Sequence, residues 1–195
     1  MRTVVAAALA AALTVSPAAA SVQCWAELSA GKTISTTRIN DDFTGPVTIA
    51  ADGLQGGAGI GCDYQIDSLI VIGAMARYEA LDLKGRMEGG SYGSDAMWTV
   101  ALRGGIKVNP DMLAYGMAGY SGTDVSYPGL SFDPTGITYG AGLEFKLALD
   151  NLNAFVEWTH TTFDERTTFS THIQPESDTV RVGIRWKFNA LAGGK

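Results

Sequence analysis

The stretch at residues 178–189 reads DTVRVGIRWKFN, and its pattern decides the class of fold. From Val180 to Phe188 every even-numbered residue is apolar, and every odd-numbered residue is Arg, Gly or Lys. Strict alternation over this length predicts a β-strand with one apolar face and one polar face. In a soluble sheet the apolar face would pack into the core, and in a membrane barrel it would lie on the outside. The pattern of this strand alone is compatible with either fold.

The beginning of the chain has a different character from the rest. A positively charged start is followed by an apolar run of Val, Ala and Leu and then by the small residues Ala18-Ala19-Ala20. This order predicts a secretory signal peptide at 1–20, because the apolar run is too short and wrongly flanked for a membrane helix. We expect a mature domain at 21–189 and a short C-terminal tail at 190–195.

The chain of 195 residues is poor in charge, with 17% charged residues and a formal net charge of −6. A soluble domain usually carries about 25% charged residues, so the deficit indicates that much of the exterior does not face water. No basic block is present in the sequence, which argues against nucleic-acid binding.

The remainder of the sequence alternates between candidate strands and connections of two lengths. The candidate strands lie at about 23–31, 54–65, 68–79, 96–108, 112–121, 136–149, 152–163 and 179–189. Short turns of the Asp, Asn and Pro type are predicted at 66–67, 109–111 and 150–151. Longer polar segments lie at 32–53, 80–95, 122–135 and 164–178. The pattern predicts an all-β, eight-stranded antiparallel transmembrane β-barrel with short periplasmic turns and four longer outer loops.

In such a barrel the apolar parity faces lipid and the polar parity faces the lumen. The predicted lipid-facing residues include Leu143, Val156, Val182, Ile184 and Trp186. The predicted lumen network consists of Glu27, Arg77, Arg103, Glu144, Glu157, Arg181 and Arg185. Enclosed charges of both signs must pair, because unpaired buried charges are costly. The strand at 112–121 has no charge, so its two faces are not predicted.

Four stretches in this order resemble the opacity-type and OmpA-like small outer-membrane β-barrel family, which includes alphaproteobacterial porin-family surface antigens. They are LQGGAGIGCDYQ (54–65), MWTVALRGGIKVNPD (97–111), ITYGAGLEFKLALDNLNAFVEWTHTTF (137–163) and TVRVGIRWKF (179–188). The final aromatic, Phe188, resembles the C-terminal insertion signal of these barrels, and the tail at 190–195 departs from that pattern. The resemblance implies the bacterial outer membrane and handling by the barrel-assembly machinery.

The two cysteines lie near the short-turn end of neighbouring strands and share one parity. Cys24 begins the first candidate strand and Cys62 lies near the end of the second. Directly opposed residues of such strands have Cα atoms about 4.5–5.5 Å apart, within the range of about 4.4–6.8 Å that suits a disulfide. We therefore predict a Cys24–Cys62 disulfide, since an exported protein meets an oxidising compartment. Two free, buried thiols are the alternative.

One histidine could carry chemistry. His160 and Thr162 share the apolar parity of the strand at 152–163, and a lipid-facing His with a hydroxyl resembles the arrangement of outer-membrane lipid A deacylases. The nucleophile there should be Ser, and the sequence shows no acidic partner to orient the imidazole. We therefore favour an interface-belt role for His160 and expect no enzyme activity, no catalytic residue, no metal ligand and no cofactor.

The sequence favours a structural or surface-antigen barrel with a packed lumen and its function in the exposed loops. A narrow porin-like channel or a small-ligand barrel, for example for haem, is one alternative, and a soluble secreted lipocalin-like binder is another. The expected partners are outer-membrane lipid and lipopolysaccharide, the barrel-assembly machinery, and a host or surface ligand at the outer loops.

Overall fold

The structure is a computed structural model that describes residues 22–41, 45–87, 90–127, 130–168 and 171–189. The predicted signal peptide at 1–20 and the tail at 190–195 lie outside the described residues. Within the described part, no helix is long and apolar enough to cross a membrane. The strands are β1 (Val22–Asp41), β2 (Gly45–Gln65), β3 (Ile70–Met87), β4 (Gly90–Asn109), β5 (Met112–Thr123), β6 (Val125–Tyr127), β7 (Leu130–Phe132), β8 (Thr135–Lys146), β9 (Leu152–Phe163), β10 (Arg166–Thr168) and β11 (Thr171–Asn189).

Eight of these strands close into an antiparallel barrel. The hydrogen-bonded order is β3-β2-β1-β11-β9-β8-β5-β4, and β4 pairs with β3 to complete the ring. At one end of the barrel, the short strand β6 pairs with both β4 and β7, and the short strand β10 pairs with β11. The predicted eight-stranded antiparallel fold is confirmed. Closure removes the open sheet edge that hydrocarbon does not tolerate.

The strands extend into segments that the sequence predicts as long loops. β1 and β2 stay paired as far as Asp41 opposite Gly45, so most of 32–53 is strand. β3 and β4 stay paired as far as Met87 opposite Gly90. The loop prediction was wrong here because it rested on polar composition, whereas the ladder is held by backbone hydrogen bonds that are independent of side-chain polarity. About 9–11 tilted residues cross a bilayer, so these pairs form arms that project beyond it.

The opposite end of the barrel has the short turns. At the first turn, the Asp67 carboxylate accepts the backbone N–H groups of Leu69 and Ile70, both at 2.7 Å, and these bonds hold the pKa of Asp67 below its usual value. At the last turn, β8 ends at Lys146, so Leu147 and Leu149 lie in the turn and not on the predicted strand. The chain reverses there through Asn151, whose φ of 64° is left-handed.

The two faces of the strands follow the predicted parity. In β11, Val182 and Ile184 are 58% and 43% exposed, whereas Arg181 and Arg185 are 2% and 0% exposed. β5, whose faces the sequence leaves open, directs Tyr115 and its neighbours of the same parity inward. Exposed apolar residues around a whole barrel form the kind of surface that lipid covers.

Aromatic side chains inside the barrel lie across glycines on the neighbouring strand. The directly opposed pairs are Trp25 with Gly61, Tyr115 with Gly142 and Phe155 with Gly183. A Cβ atom at Gly183 would lie 2.6 Å from the Phe155 ring. The inward glycines therefore make room for large rings in a lumen that is only wide enough for side chains.

Cys24 and Cys62 face each other directly in the β1–β2 ladder and form a disulfide bond. Both share the parity of Leu28 and Ile60, which are exposed on the outside of the barrel. The predicted disulfide is therefore present and joins the two strands from outside, close to the turn that follows Gln65.

Candidate functional site

The seven charged side chains that the sequence assigns to the lumen all lie inside the barrel. They come from six strands, and each is at most 3% exposed. They are Glu27, Arg77, Arg103, Glu144, Glu157, Arg181 and Arg185. The alternation along each strand points these side chains inward, and barrel closure brings them together from opposite walls.

Arg185 is the centre of the network. Its Nε donates to Glu27 Oε2 at 2.8 Å, and its Nη1 donates to Glu144 Oε2 at 2.7 Å. Its Cζ lies 4.5 Å from the centroid of the Trp25 ring and 4.1 Å from that of Phe155. The guanidinium is thus both ion-paired and stacked, a combination that suits Arg better than Lys.

A second group of ion pairs lies beside it. Arg77 donates from Nε to Glu27 Oε1 at 2.5 Å and from Nη1 to Glu157 Oε1 at 2.8 Å. Arg181 reaches the same Glu157 oxygen from Nη1 at 3.0 Å, and its Nη2 lies 3.3 Å from Glu79 Oε2. Glu27 contacts two arginines and Glu157 contacts three, because Arg185 Nη2 also lies 3.5 Å from Glu157 Oε2. The charges therefore form one connected network.

Three members of the network were missing from the sequence-based set. Glu79 and Asp63 are buried, and Asp63 Oδ1 lies 3.3 Å from Arg103 Nε. Lys187 Nζ lies 2.5 Å from Glu144 Oε1. The inward parity of β3 and β11 could have identified Glu79 and Lys187. In the described interior, five carboxylates thus face four guanidinium groups and the Lys187 ammonium.

Two further layers fill the lumen on the loop side of the charges. Thr99, Ser121, Thr138 and Thr161 are linked through their hydroxyl groups, with oxygen–oxygen distances of 2.8, 2.6 and 2.7 Å. Beyond them lies an apolar cluster of Ala51, Leu81, Leu83, Met97 and Phe163. The described interior is therefore packed with side chains from the charge network to the loop end.

The turn end retains a small polar cavity of about 380 Å³. Its walls include Lys107, Lys187, Asp63 and Glu144. Lys187, Asp63 and Glu144 also belong to the charge network, so the cavity ends where this network begins.

The predicted lipid-facing residues all point outward. Leu143, Val156, Val182, Ile184 and Trp186 are between 37% and 61% exposed. Phe188, the predicted insertion signal, is 44% exposed, and its ring centroid lies 6.5 Å from that of Trp186. Their exposure and parity fit a lipid-facing role.

Rings also collect on the outside near the loop end. Trp98 and Tyr120 have ring centroids 6.3 Å apart, and Tyr139 and Trp158 have centroids 6.0 Å apart. His160 lies beside them, 5.3 Å from Tyr139. Such rings are typical of the girdle at a membrane–water interface.

His160 has an acidic partner that the sequence did not reveal. Its Nδ1 lies 3.1 Å from Asp178 Oδ1, and its Nε2 lies 3.2 Å from Thr162 Oγ1. Asp178 is directly opposite His160 in the β9–β11 ladder. The sequence did not identify this partner, because the predicted last strand began at 179 and left Asp178 in a predicted loop, whereas β11 begins at Thr171. Among the described residues, no group of three His, Cys, Asp or Glu side chains is arranged to hold a metal ion.

Comparison with known protein families shows which family the barrel belongs to. The model of the outer membrane protein beta-barrel domain matches residues 5–188. The chain belongs to this outer-membrane β-barrel family. The family and the outer-membrane location confirm the resemblance seen in the sequence, and they remove the soluble lipocalin-like alternative.

This outer-membrane β-barrel protein has relatives described as immunogenic. It is 26% identical over 174 residues to the 31 kDa outer-membrane immunogenic protein of Brucella melitensis, covering 76% of this chain and 72% of the relative. The protein of the same description from Brucella suis matches with the same values.

Solved structures with a similar outline include small outer-membrane barrels. The attachment invasion locus protein Ail of Yersinia pestis is 16% identical and covers 84% of this chain and 98% of its own, with a TM-score of 0.44. The N-terminal β-barrel domain of OprF from Pseudomonas aeruginosa is 12% identical and covers 81% and 97%, with a TM-score of 0.47.

Proposed function

We propose that this outer-membrane protein is a structural, surface-exposed barrel whose binding function lies at its outer end. The observation that supports the proposal most strongly is the packed interior, in which charged, hydroxyl and apolar layers follow one another. A barrel filled in this way offers no wide path for solutes. What it presents to the surroundings is the set of strand arms and their tips, and this role requires no catalysis.

The arms support a role at the cell surface. β1 and β2 contain 20 and 21 residues, about twice the length needed to cross hydrocarbon. Surplus strand of this length raises the tips above the membrane, where they are accessible to a host or surface ligand. The description of the Brucella relatives as immunogenic fits such exposure.

The outward apolar band and the two groups of rings support outer-membrane lipid and lipopolysaccharide as partners of the barrel wall. Phe188, on the outward face two residues beyond Trp186, is our candidate contact for the barrel-assembly machinery.

A narrow channel is the second candidate, and the cavity of about 380 Å³ at the turn end is the observation in its favour. Planar-bilayer recordings separate the two functions. We expect no discrete conductance steps from the purified protein, because the charge network closes the cavity. Reproducible steps would favour the channel.

The surface role is tested by shortening arms without changing the wall. A variant that joins β1 to β2 with a tight turn after Thr33 should still show heat-modifiable gel migration but should lose binding of antiserum or of a surface ligand to intact cells. The matched control replaces the turn at 66–69 with another short turn. Equal loss of binding in both variants, or no loss in either, contradicts the proposal.

A further inference from the structure

Thr162, His160 and Asp178 are linked in the order of a hydrolase triad. Thr162 Oγ1 lies 3.2 Å from His160 Nε2, and the other ring nitrogen, Nδ1, lies 3.1 Å from Asp178 Oδ1. A nucleophile, a base and a carboxylate that orients the base define such a site by geometry, independently of fold or sequence order. The β9–β11 ladder fixes the arrangement, because Asp178 is directly opposite His160 and Glu176 is directly opposite Thr162.

The position of these three residues limits the substrate. All three point out of the barrel, and His160 lies next to the rings of Tyr139 and Trp158. Ring girdles mark the depth at which lipid headgroups meet acyl chains. Carboxylic esters that join acyl chains to their headgroups lie at that depth in a bilayer.

The surroundings also provide access and positive charge. The side chains of His160 and Asp178 are 19% and 53% exposed, so the protein leaves the pair accessible from its outer face. Arg38, 60% exposed, lies 3.7 Å from Glu176 on the same outer face. A guanidinium at this site can donate charge-assisted hydrogen bonds to the phosphate of a lipid headgroup.

We propose that Thr162 and His160 form a catalytic site that hydrolyses acyl esters of outer-leaflet lipids, with Asp178 as a positioning residue. The proposal is independent of the surface function proposed above, and it revises the expectation of no enzyme activity. The expectation rested on two grounds: Thr162 stands where Ser was expected as the nucleophile, and the sequence showed no acidic partner for His160. Asp178 is that partner, and a Thr hydroxyl beside a general base also serves as a nucleophile.

The reaction follows the triad order. Thr162 Oγ1 attacks the ester carbonyl carbon as its proton passes to His160 Nε2. The bond from that carbon to the headgroup oxygen breaks, and the imidazolium returns the proton to this oxygen, leaving an acyl-Thr162 ester and a lipid alcohol. Water then attacks the acyl ester and gives its proton to Nε2. The fatty acid leaves, and the proton returns to Thr162.

The test uses the purified full chain in vesicles and measures released fatty acid by mass spectrometry. One set of vesicles contains lipopolysaccharide with ester-linked acyl chains, and the other contains only phosphatidylethanolamine, so the two arms distinguish the sources of the ester. The variants are Thr162→Val, Thr162→Ser, His160→Ala, Asp178→Asn and Asp178→Glu. Thr36→Val is the control, because Thr36 is an outward residue on the neighbouring strand β1. Heat-modifiable migration verifies folding of every variant.

We expect release from at least one set of vesicles. The rate of fatty-acid release should fall by about a hundredfold or more in Thr162→Val and His160→Ala, because removal of a nucleophile or a general base lowers a rate by at least this factor. Thr162→Ser should keep activity, Asp178→Glu should keep more than Asp178→Asn, and Thr36→Val should match the unmodified protein. An active-site probe for ester hydrolases should label Thr162. No release from either vesicle, or unchanged release in folded Thr162→Val, overturns the proposal.

Discussion

Arg185→Ala is the substitution that most severely disturbs the interior. The side chain is fully buried and is the shared partner of Glu27 and Glu144. Its loss leaves three buried carboxylates, those of Glu27, Glu144 and Glu157, with one partner fewer each. Removal of one member of a buried ion pair costs about 3–5 kcal/mol. Loss of the contacts with the Trp25 and Phe155 rings adds to this, since a desolvated cation–π contact contributes about 2 kcal/mol. We therefore expect the free energy of unfolding to fall by at least about 3 kcal/mol.

The assay is urea unfolding of the protein folded into phospholipid vesicles, followed by tryptophan fluorescence and heat-modifiable migration. Arg38→Ala is the control, because the Arg38 side chain is 60% exposed and its Nη2 lies 3.7 Å from Glu176 Oε2. An exposed pair of this kind should cost less than about 1 kcal/mol. A double-mutant cycle with Glu144→Gln should show coupling of about 0.5–3 kcal/mol. If Arg185→Ala and Arg38→Ala have equal effects, the interior network does not stabilise the barrel.

Three further predictions address the wall. Ile184→Arg puts a charge on the lipid face and should cost about 2–4 kcal/mol, whereas Ile184→Val, which keeps this position apolar, should cost less; equal stability of the two variants would contradict the face assignment of β11. Gly183→Ala should destabilise by about 1–3 kcal/mol through overpacking against the Leu28 carbonyl and the Phe155 ring. Gly104→Ala should be tolerated, because no atom of another strand lies within 4 Å of a Cβ there. The same urea titration measures both variants, and similar costs at the two glycines would contradict this prediction. Cys24 and Cys62 should resist alkylation in the denatured, unreduced protein, and the double Ser variant should lose at most about 4 kcal/mol of stability; two alkylated thiols in the mass spectrum would exclude the disulfide.

The strand alternation was sufficient to predict the barrel and most of its interior. From Val180 to Phe188 each charged residue of β11 falls between apolar residues, so Arg181 and Arg185 could be assigned inward before the ladder was known. The disulfide followed from the same parity and from the position of both cysteines near the short turns. β5 could not be assigned in this way, because small and apolar residues occupy both of its faces.

Strand ends and partners across strands were beyond the reach of the sequence. Polar residues in the arms look like loop, yet backbone pairing continues to Asp41 and Gly45. The pairing of His160 with Asp178 depends on the register between β9 and β11. The predicted last strand began at 179, whereas β11 begins at Thr171, so the prediction left Asp178 in a loop and hid the pair. A site that combines residues of two strands can therefore be predicted only when the register between the strands is known. Burial can be predicted from the alternation within a single strand.

The account rests on a barrel whose arm end faces outside and whose turn end faces the periplasm. Short epitope tags inserted between Asp41 and Gly45, at the arm end, and at Pro110–Asp111, at the turn end, measure this directly on the same protein. On intact cells, antibody should bind the first tag and should bind the second only after the outer membrane is permeabilised. Binding of the Pro110–Asp111 tag on intact cells, with the arm tag hidden until permeabilisation, would contradict the orientation and the surface function that depends on it.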